Sequence, residues 1–220
     1  MGKTELTVAT VDDKLARIDD ITRHCAVLSV SKSVADAYKM ASDMFELRAL
    51  FTGQVLERLL SMQGTPLGFL TDKDSQGGYP GDKVRDCIIE ACARGLRVLN
   101  NEFNIIAGRV YITRNGYERL CHDYPGMRDL KVLEGKIEMV GNAGAYVPMK
   151  ATWLLNGIAD SIEVSIPVKV NSGMGADAII GKAFRKMYAR VYTRITGSYQ
   201  SDSDEQLVDD VIESVEGSAA

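Results

Sequence analysis

Three strand-like segments in the second half of the chain constrain its fold most. They cover residues 129–140, 144–155 and 161–170 and are rich in β-branched and aromatic side chains. The turns that follow them are Gly141-Asn142, Asn156-Gly157 and Asn171-Ser172-Gly173. Turns this short join antiparallel neighbours, because parallel strands need a crossover of about a dozen residues or more. The sequence therefore predicts an antiparallel meander, followed by a helix over 176–196 that stops at Gly197.

Helical patterns dominate the part of the chain before the meander. Apolar side chains recur at helical spacing over 10–24 and over 33–60, and again from Asp82 to a stop at Gly95. Residues 61–81 between them are rich in glycine and proline, which predicts a long loop.

Two short strands and a short helix are predicted between these helices and the meander. The strand-like segments lie near 103–107 and 110–113, and Asn115-Gly116 predicts a sharp turn before a helix from Tyr117 to Tyr124. Helices come first, then strands with one inserted helix, then a last helix. This order is typical of an α+β fold and not of repeated βαβ units.

The chain divides into four regions on these patterns. Residues 1–60 form an N-terminal helical region, 61–81 a loop, 82–197 an α+β core and 198–220 an acidic tail. The N-terminal helices carry more apolar side chains than a small sheet can cover. We therefore expect them to make contacts between subunits.

The charge distribution separates the tail from the body. Of the chain's 30 Asp and Glu residues, seven lie in 201–220, where there is no Lys or Arg. The 26 Lys and Arg residues therefore give the rest of the chain a small positive excess, which permits a nucleic-acid partner. Two interpretations of the tail stay open: a disordered solubilising segment, or one that docks on a basic partner or on the chain's own basic groove.

The composition is that of an ordinary soluble globular protein, with 45% hydrophobic and 25% charged residues. No apolar run reaches membrane-span length, and the N-terminus lacks a signal-peptide pattern. The four cysteines form no CxxC pair, which suits a reducing cytoplasm, and the two histidines lack metal-ligand spacing. A cytoplasmic protein without a membrane partner is expected.

Cations recur along the helix predicted over 176–196. Lys182, Lys186, Arg190 and Arg194 are each four residues apart, Arg185 lies beside them, and Asp177 is the helix's single acid. Lys182, Arg185 and Lys186 should point away from the apolar stripe, whereas Arg190 drifts toward its edge and Arg194 reaches it. A row at about 6 Å intervals suits backbone phosphates. The alternative is a solvated helix face.

Aromatic side chains lie near this row and in the predicted strands. They are Tyr111, Tyr117, Trp153, Tyr188 and Tyr192. Aromatics beside cations favour single-strand binding, because every base has a face that can stack. The alternative for each aromatic is a place in the core.

Patterns for catalysis are weak. The segment from Gly175 to Lys182 resembles a P-loop, but its glycines are one residue too far apart and Ala183 replaces the required Ser or Thr. No nucleophile motif is present. Asp72 and Asp74 could hold a metal in a nuclease site, although loop carboxylates are usually solvated. A non-enzymatic protein is therefore expected.

Three segments resemble the RecT/Redβ family of phage single-strand annealing proteins. The first runs from Tyr79 to Leu96, the second is Tyr111-Ile112-Thr113-Arg114-Asn115-Gly116-Tyr117, and the third runs from Asp177 to Met187. They are similar to the family's helix before the first strand, its strand with a Gly-aromatic turn, and its basic helix after the sheet. The resemblance implies a β-β-β-α core flanked by helices.

The resemblance also implies a function. It implies ATP-independent annealing of complementary strands, without nucleotide hydrolysis or covalent chemistry, in a basic groove that holds the DNA backbone and leaves the bases exposed. Lys182, Lys186 and Arg190 match the family's basic helix, with Arg185 as a secondary candidate. Arg114 matches the Gly-aromatic turn, where Tyr117 would pack beneath or against the nucleic acid. Arg109 and Lys150 are further candidates for DNA binding, on the basis of their position in strands and their charge alone.

The partners implied by the resemblance are single-stranded DNA, the annealed duplex intermediate and further copies of the chain in a ring or helical filament. A phage exonuclease or a host single-strand binding protein is a further candidate, and the compartment would be the bacterial host cytoplasm. No cofactor is required, with magnesium at most a modulator of DNA binding. Two alternatives stay open: a passive single-strand binder, and an assembly protein whose basic helix binds an acidic partner.

Overall fold

The N-terminal region consists of three helices in the computed structural model, which describes residues 10–31 and 33–197. They are α1 (Val11–Leu28), α2 (Val34–Leu50) and α3 (Gly53–Leu60). The prediction of one helix over 33–60 is wrong at its centre. The helix breaks at Phe51 and Thr52, where the Phe51 side chain is buried in the core. The predicted acidic tail, 198–220, lies outside the described residues.

The long loop over 61–81 is held by its own hydrogen bonds. Asp72 accepts from the Tyr79 hydroxyl at 2.9 Å and from the backbone N–H of Ala107 at 3.0 Å. Asp74 accepts from the backbone N–H of Thr71 at 3.0 Å and begins a single 3₁₀ turn, Asp74–Gln76. The loop thereby connects α3 to the next helix and to the hairpin after it.

Helix α4 (Gly81–Ala93) and a hairpin follow the loop. The predicted apolar face of α4 is buried, and Gly95 stops the helix with a positive φ of 75° as expected. Strands β1 (Phe103–Ile106) and β2 (Arg109–Ile112) pair antiparallel, from Phe103 opposite Ile112 to Ile106 opposite Arg109.

The predicted turn at Asn115-Gly116 is wrong, because both residues lie inside α5 (Arg114–His122). The Thr113 hydroxyl caps this helix by accepting from the backbone N–H of Gly116 at 3.3 Å. A Cβ at Gly116 would collide with the backbone carbonyl of Glu102 and lie 2.9 Å from a methyl of Ile112. The glycine therefore permits a close approach of α5 to the chain before β1.

The predicted antiparallel meander is confirmed. Its central strand is β5 (Gly144–Leu155), which pairs along its whole length with β6 (Ile158–Lys169). The other edge of β5 is shared by β3 (Met127–Glu134) and β4 (Glu138–Val140). One continuous strand was predicted over 129–140, and this is wrong because the segment forms two strands, β3 and β4, along the same edge of β5. At the break, the backbone N–H of Gly135 still donates to the Pro148 carbonyl at 2.7 Å.

Helix α6 (Ala176–Thr196) closes the fold at the predicted bounds, with Gly197 at φ 64° ending it. It contacts β5 and β6 on one side and α5 on another. The inward side chains of β5 are Ala145, Val147, Met149, Ala151 and Trp153, and all are buried. The predicted α+β class is confirmed. Within the described ranges, no helix is both long and apolar enough to cross a membrane.

The close approach of Gly116 to the carbonyl of Glu102 leads to a prediction about stability. We expect Gly116→Ala to lower the free energy of unfolding by about 1–3 kcal/mol, because the new methyl must displace backbone. Gly181→Ala is the matched control, since this helical glycine has open space around its Cβ position. Urea unfolding followed by circular dichroism measures both variants. Equal stability of the two would contradict the close approach.

Candidate nucleic-acid interface

Helix α6 is fixed on two sides by packing. Ala183, Met187 and Val191 are fully buried and recur every fourth residue, so they form one stripe along the helix. Tyr188 faces α5, where its hydroxyl donates to Glu118 at 3.1 Å. A helix held in this way places the remaining side chains at defined positions on the surface.

Lys182 and Arg190 are the open cations of the predicted row. Lys182 is half-buried and Arg190 is exposed, and neither forms a hydrogen bond or ion pair with any residue of 10–31 or 33–197. They are separated by two helical turns, about 12 Å along the axis. The Lys182 ammonium and the Arg190 guanidinium can therefore each donate to a phosphate without losing a partner in the described chain.

The other two members of the row reach toward β6. Lys186 donates from Nζ to the Pro167 carbonyl at 3.2 Å, and Arg194 donates from Nε to Asp160 Oδ2 at 3.2 Å. The pKa of Asp160 is lowered by the backbone N–H of Ser161 and by Arg194. Arg194 thus connects the end of α6 to the sheet through a surface ion pair, and 62% of its side chain is exposed.

Arg185 does not point to solvent, which corrects its predicted orientation. Its side chain is packed between α6 and β2, and the residue is only 8% exposed. The guanidinium carbon lies 4.0 Å from the Tyr111 ring centroid, and Nε donates to the Ile112 carbonyl at 2.9 Å. Because β2 and α5 cover this side of α6, Arg185 joins the basic helix to the hairpin.

Tyr117 lies beside Arg185, and Arg114 contacts Phe184, the residue that precedes Arg185 in α6. The Tyr117 ring is 1% exposed, 5.7 Å from the Arg185 guanidinium carbon and 6.1 Å from the Tyr192 ring centroid. Arg114 lies over the Phe184 ring at 4.5 Å. The structure therefore brings three of the predicted site residues together, with Tyr117 beneath the surface and not on it.

Glu118 belongs to the same group of residues and was not predicted. It accepts from the Tyr188 hydroxyl and lies 3.6 Å from Arg114 Nε. The spacing of four residues between Arg114 and Glu118 is the sequence signal that could have identified this pair. The carboxylate offsets part of the positive charge at the start of α5.

Lys150 lies apart from α6, and Arg109 lies at the other end of β2 from Ile112, which contacts Arg185. Lys150 is on the outer face of β5, because neighbouring side chains of a strand point to opposite faces. Its Nζ pairs with Glu163 Oε2 at 3.0 Å. Arg109 is exposed at the turn end of the hairpin, next to Gly108, whose N–H donates to the Tyr79 hydroxyl at 2.8 Å. Lys150 therefore shares no face of the sheet with Lys182 and Arg190.

Asp72 and Asp74, the candidate nuclease carboxylates, are occupied by the hydrogen bonds of the loop. Across the described residues, no group of three or more His, Cys, Asp or Glu side chains is arranged to hold a metal ion. The Asp72 carboxylate connects the loop to Ala107 and to the Tyr79 hydroxyl, and the Asp74 carboxylate holds the backbone of Thr71.

Comparisons of the chain with family models, with curated proteins and with solved structures find no match. Functional inference therefore depends on α6 and the residues around it.

The different surroundings of Arg185 and Lys182 give a prediction. We expect Arg185→Ala to lower the free energy of unfolding by about 2–4 kcal/mol, since it removes a buried charged hydrogen bond and a cation–π contact. Lys182→Ala should change stability by less than about 0.5 kcal/mol, because its half-buried side chain forms no hydrogen bond or ion pair in the described chain. Urea denaturation of both variants tests this, and a small effect for both would contradict the packed position of Arg185.

Proposed function

We propose that the protein binds single-stranded DNA through the phosphates along α6 and anneals complementary strands without nucleotide hydrolysis. The observation that carries this proposal is the pair of open cations, Lys182 and Arg190, on a helix whose other sides are packed. Lys186 lies between them on the same helix face. Because the helix is fixed by packing, these cations project from defined positions along one line, as binding to a phosphate backbone requires.

The burial of the aromatic side chains supports annealing over a stacking mode of binding. Tyr117, Trp153 and Tyr188 are buried, and Tyr111 and Tyr192 are half-buried, so none of these five rings offers an open face to bases at the surface. A strand held by its phosphates and not by stacking keeps its bases available for a complementary strand. Annealing requires this availability, whereas a passive coat that stacks the bases would oppose pairing.

The resemblance to RecT/Redβ annealing proteins supports the same function, and it extends the proposal to partners. It adds the annealed duplex as a bound intermediate and self-assembly as a ring or filament. An exonuclease or a single-strand binding protein is a further proposed partner. In this proposal no metal takes part in chemistry, and magnesium affects only the electrostatics of DNA binding.

The function is tested by the annealing of two complementary fluorescent oligonucleotides, without nucleotide. We expect the protein to accelerate annealing and the effect to fall steeply as salt rises, because phosphate contacts release counterions. The variant Lys182→Ala/Arg190→Ala should bind single strands at least about 10-fold more weakly. A plot of the logarithm of its binding constant against the logarithm of the salt concentration should also be less steep by about 1.4. Each of the two lost phosphate contacts accounts for roughly 0.7 of this change.

Lys150→Ala is the matched control, because it removes a lysine from the opposite face of the sheet. It should bind and anneal like the parent chain, and circular dichroism should show the same fold for all variants. Binding without acceleration would identify a passive single-strand binder. No binding to either strand would overturn the proposal and favour an acidic protein partner for α6.

A further inference from the structure

Helix α2 exposes an apolar seam that nothing in the described chain covers. Val34, Tyr38 and Phe45 are 87%, 76% and 78% exposed, and Ala41 between them is also exposed. Their spacing of four, three and four residues is that of the apolar seam of a coiled coil. An isolated solvated face would carry charged side chains in these places, so the seam indicates a contact with another helix.

The charged side chains of α2 are already paired within the chain. The pairs are Lys39–Asp36 at 2.8 Å, Asp43–His24 at 2.6 Å, Glu46–Arg17 at 2.6 Å and Arg48–Asp86 at 3.1 Å. Three of these pairs join opposite charges, and Asp43 is hydrogen-bonded to His24, so each charged side chain of α2 already has a partner within the chain. This favours an apolar partner surface over an acidic, basic or nucleic-acid one.

The seam is complementary to itself when two copies of α2 run antiparallel. A two-fold axis midway between Tyr38 and Ala41 places Tyr38 of one copy opposite Ala41 of the other, and Val34 opposite Phe45. Each bulky ring then faces a smaller side chain. The flanking residues Ala35, Ala37, Ser42 and Ala49 are small and exposed, which permits the two helices to approach closely.

We propose that two copies of this chain associate through an antiparallel, two-fold pairing of their α2 helices. Because each aromatic side chain offers about 150–250 Å², the seam alone lies near the lower limit of stable interfaces. The pairing should therefore depend on concentration. A two-fold contact is closed, so it forms a dimer, and the ring or filament of the proposed function would need an additional surface. The pairing does not depend on DNA binding, since it uses only α2.

The first test is the mass of the full chain by light scattering over a concentration series. We expect the parent chain to pass from monomer to dimer as its concentration rises. Tyr38→Glu/Phe45→Glu should remain a monomer, because four carboxylates would be buried in the pair. Val27→Glu is the matched control, since Val27 is 69% exposed on α1 and lies outside the seam. It should dimerise like the parent chain.

The second test fixes the direction of the pairing by disulfide formation. The variant with Ala35→Cys and Ser42→Cys places thiols on one side of the seam, about 10 Å apart within a chain and near one another across the two-fold axis. We expect a reducible covalent dimer from this variant. An equal mixture of the two single variants should also cross-link, whereas each single variant alone should not. The four native cysteines are buried and should not interfere.

Two results would overturn the proposal. One is a parent chain that stays monomeric at every concentration, and the other is a dimer whose mass is unchanged by Tyr38→Glu/Phe45→Glu. Cross-linking of the single Ser42→Cys variant alone would contradict the antiparallel direction. DNA binding measured on the same variants separates this proposal from the proposed function, because Tyr38→Glu/Phe45→Glu leaves Lys182 and Arg190 in place.

Discussion

Burial of one stripe of α6 against the sheet is the constraint on which the rest of the structure depends. Ala183, Met187 and Val191 are fully buried, and the inward residues of β5 share their core. This contact fixes the rotation of α6 about its axis. The rotation in turn decides that Lys182 and Arg190 remain open while Arg194 reaches Asp160 on β6.

A second contact decides the position of the hairpin and α5 relative to this helix. The Arg185 guanidinium stacks on Tyr111 and donates to the carbonyl of Ile112, so it connects α6 to the end of β2. Arg114 then lies over Phe184 near the middle of α6. Arg185 and Tyr117 are thus packed together below the surface, whereas Lys182 and Arg190 make no ring contact with the part of the chain that the structure describes.

The sequence predicted the meander and α6 well, because both depend on local signals. Short turns define the ends of β5 and β6, and Gly197 ends α6 where the apolar spacing stops. The start of α5 was predicted wrongly because Asn115-Gly116 is a common turn pair. Gly116 is instead required by the carbonyl of Glu102, a neighbour that the linear pattern does not show.

The candidate site was predicted only in part for a similar reason. The four-residue spacing identified the row of cations. It assigned Arg185 to the surface because one apolar stripe was assumed, whereas α6 is covered on a second side by α5 and β2. Spacing along one helix shows which residues share a face, but the number of covered faces depends on tertiary neighbours.

The central claim is that single-stranded DNA lies along the exposed face of α6. It is tested most directly by acetylating the lysines of the native protein, with and without an oligonucleotide, and measuring each site by mass spectrometry. DNA should protect Lys182 several-fold and leave Lys150, on the opposite face of the sheet, unchanged. Protection of Lys150 with continued reaction of Lys182 would contradict the account.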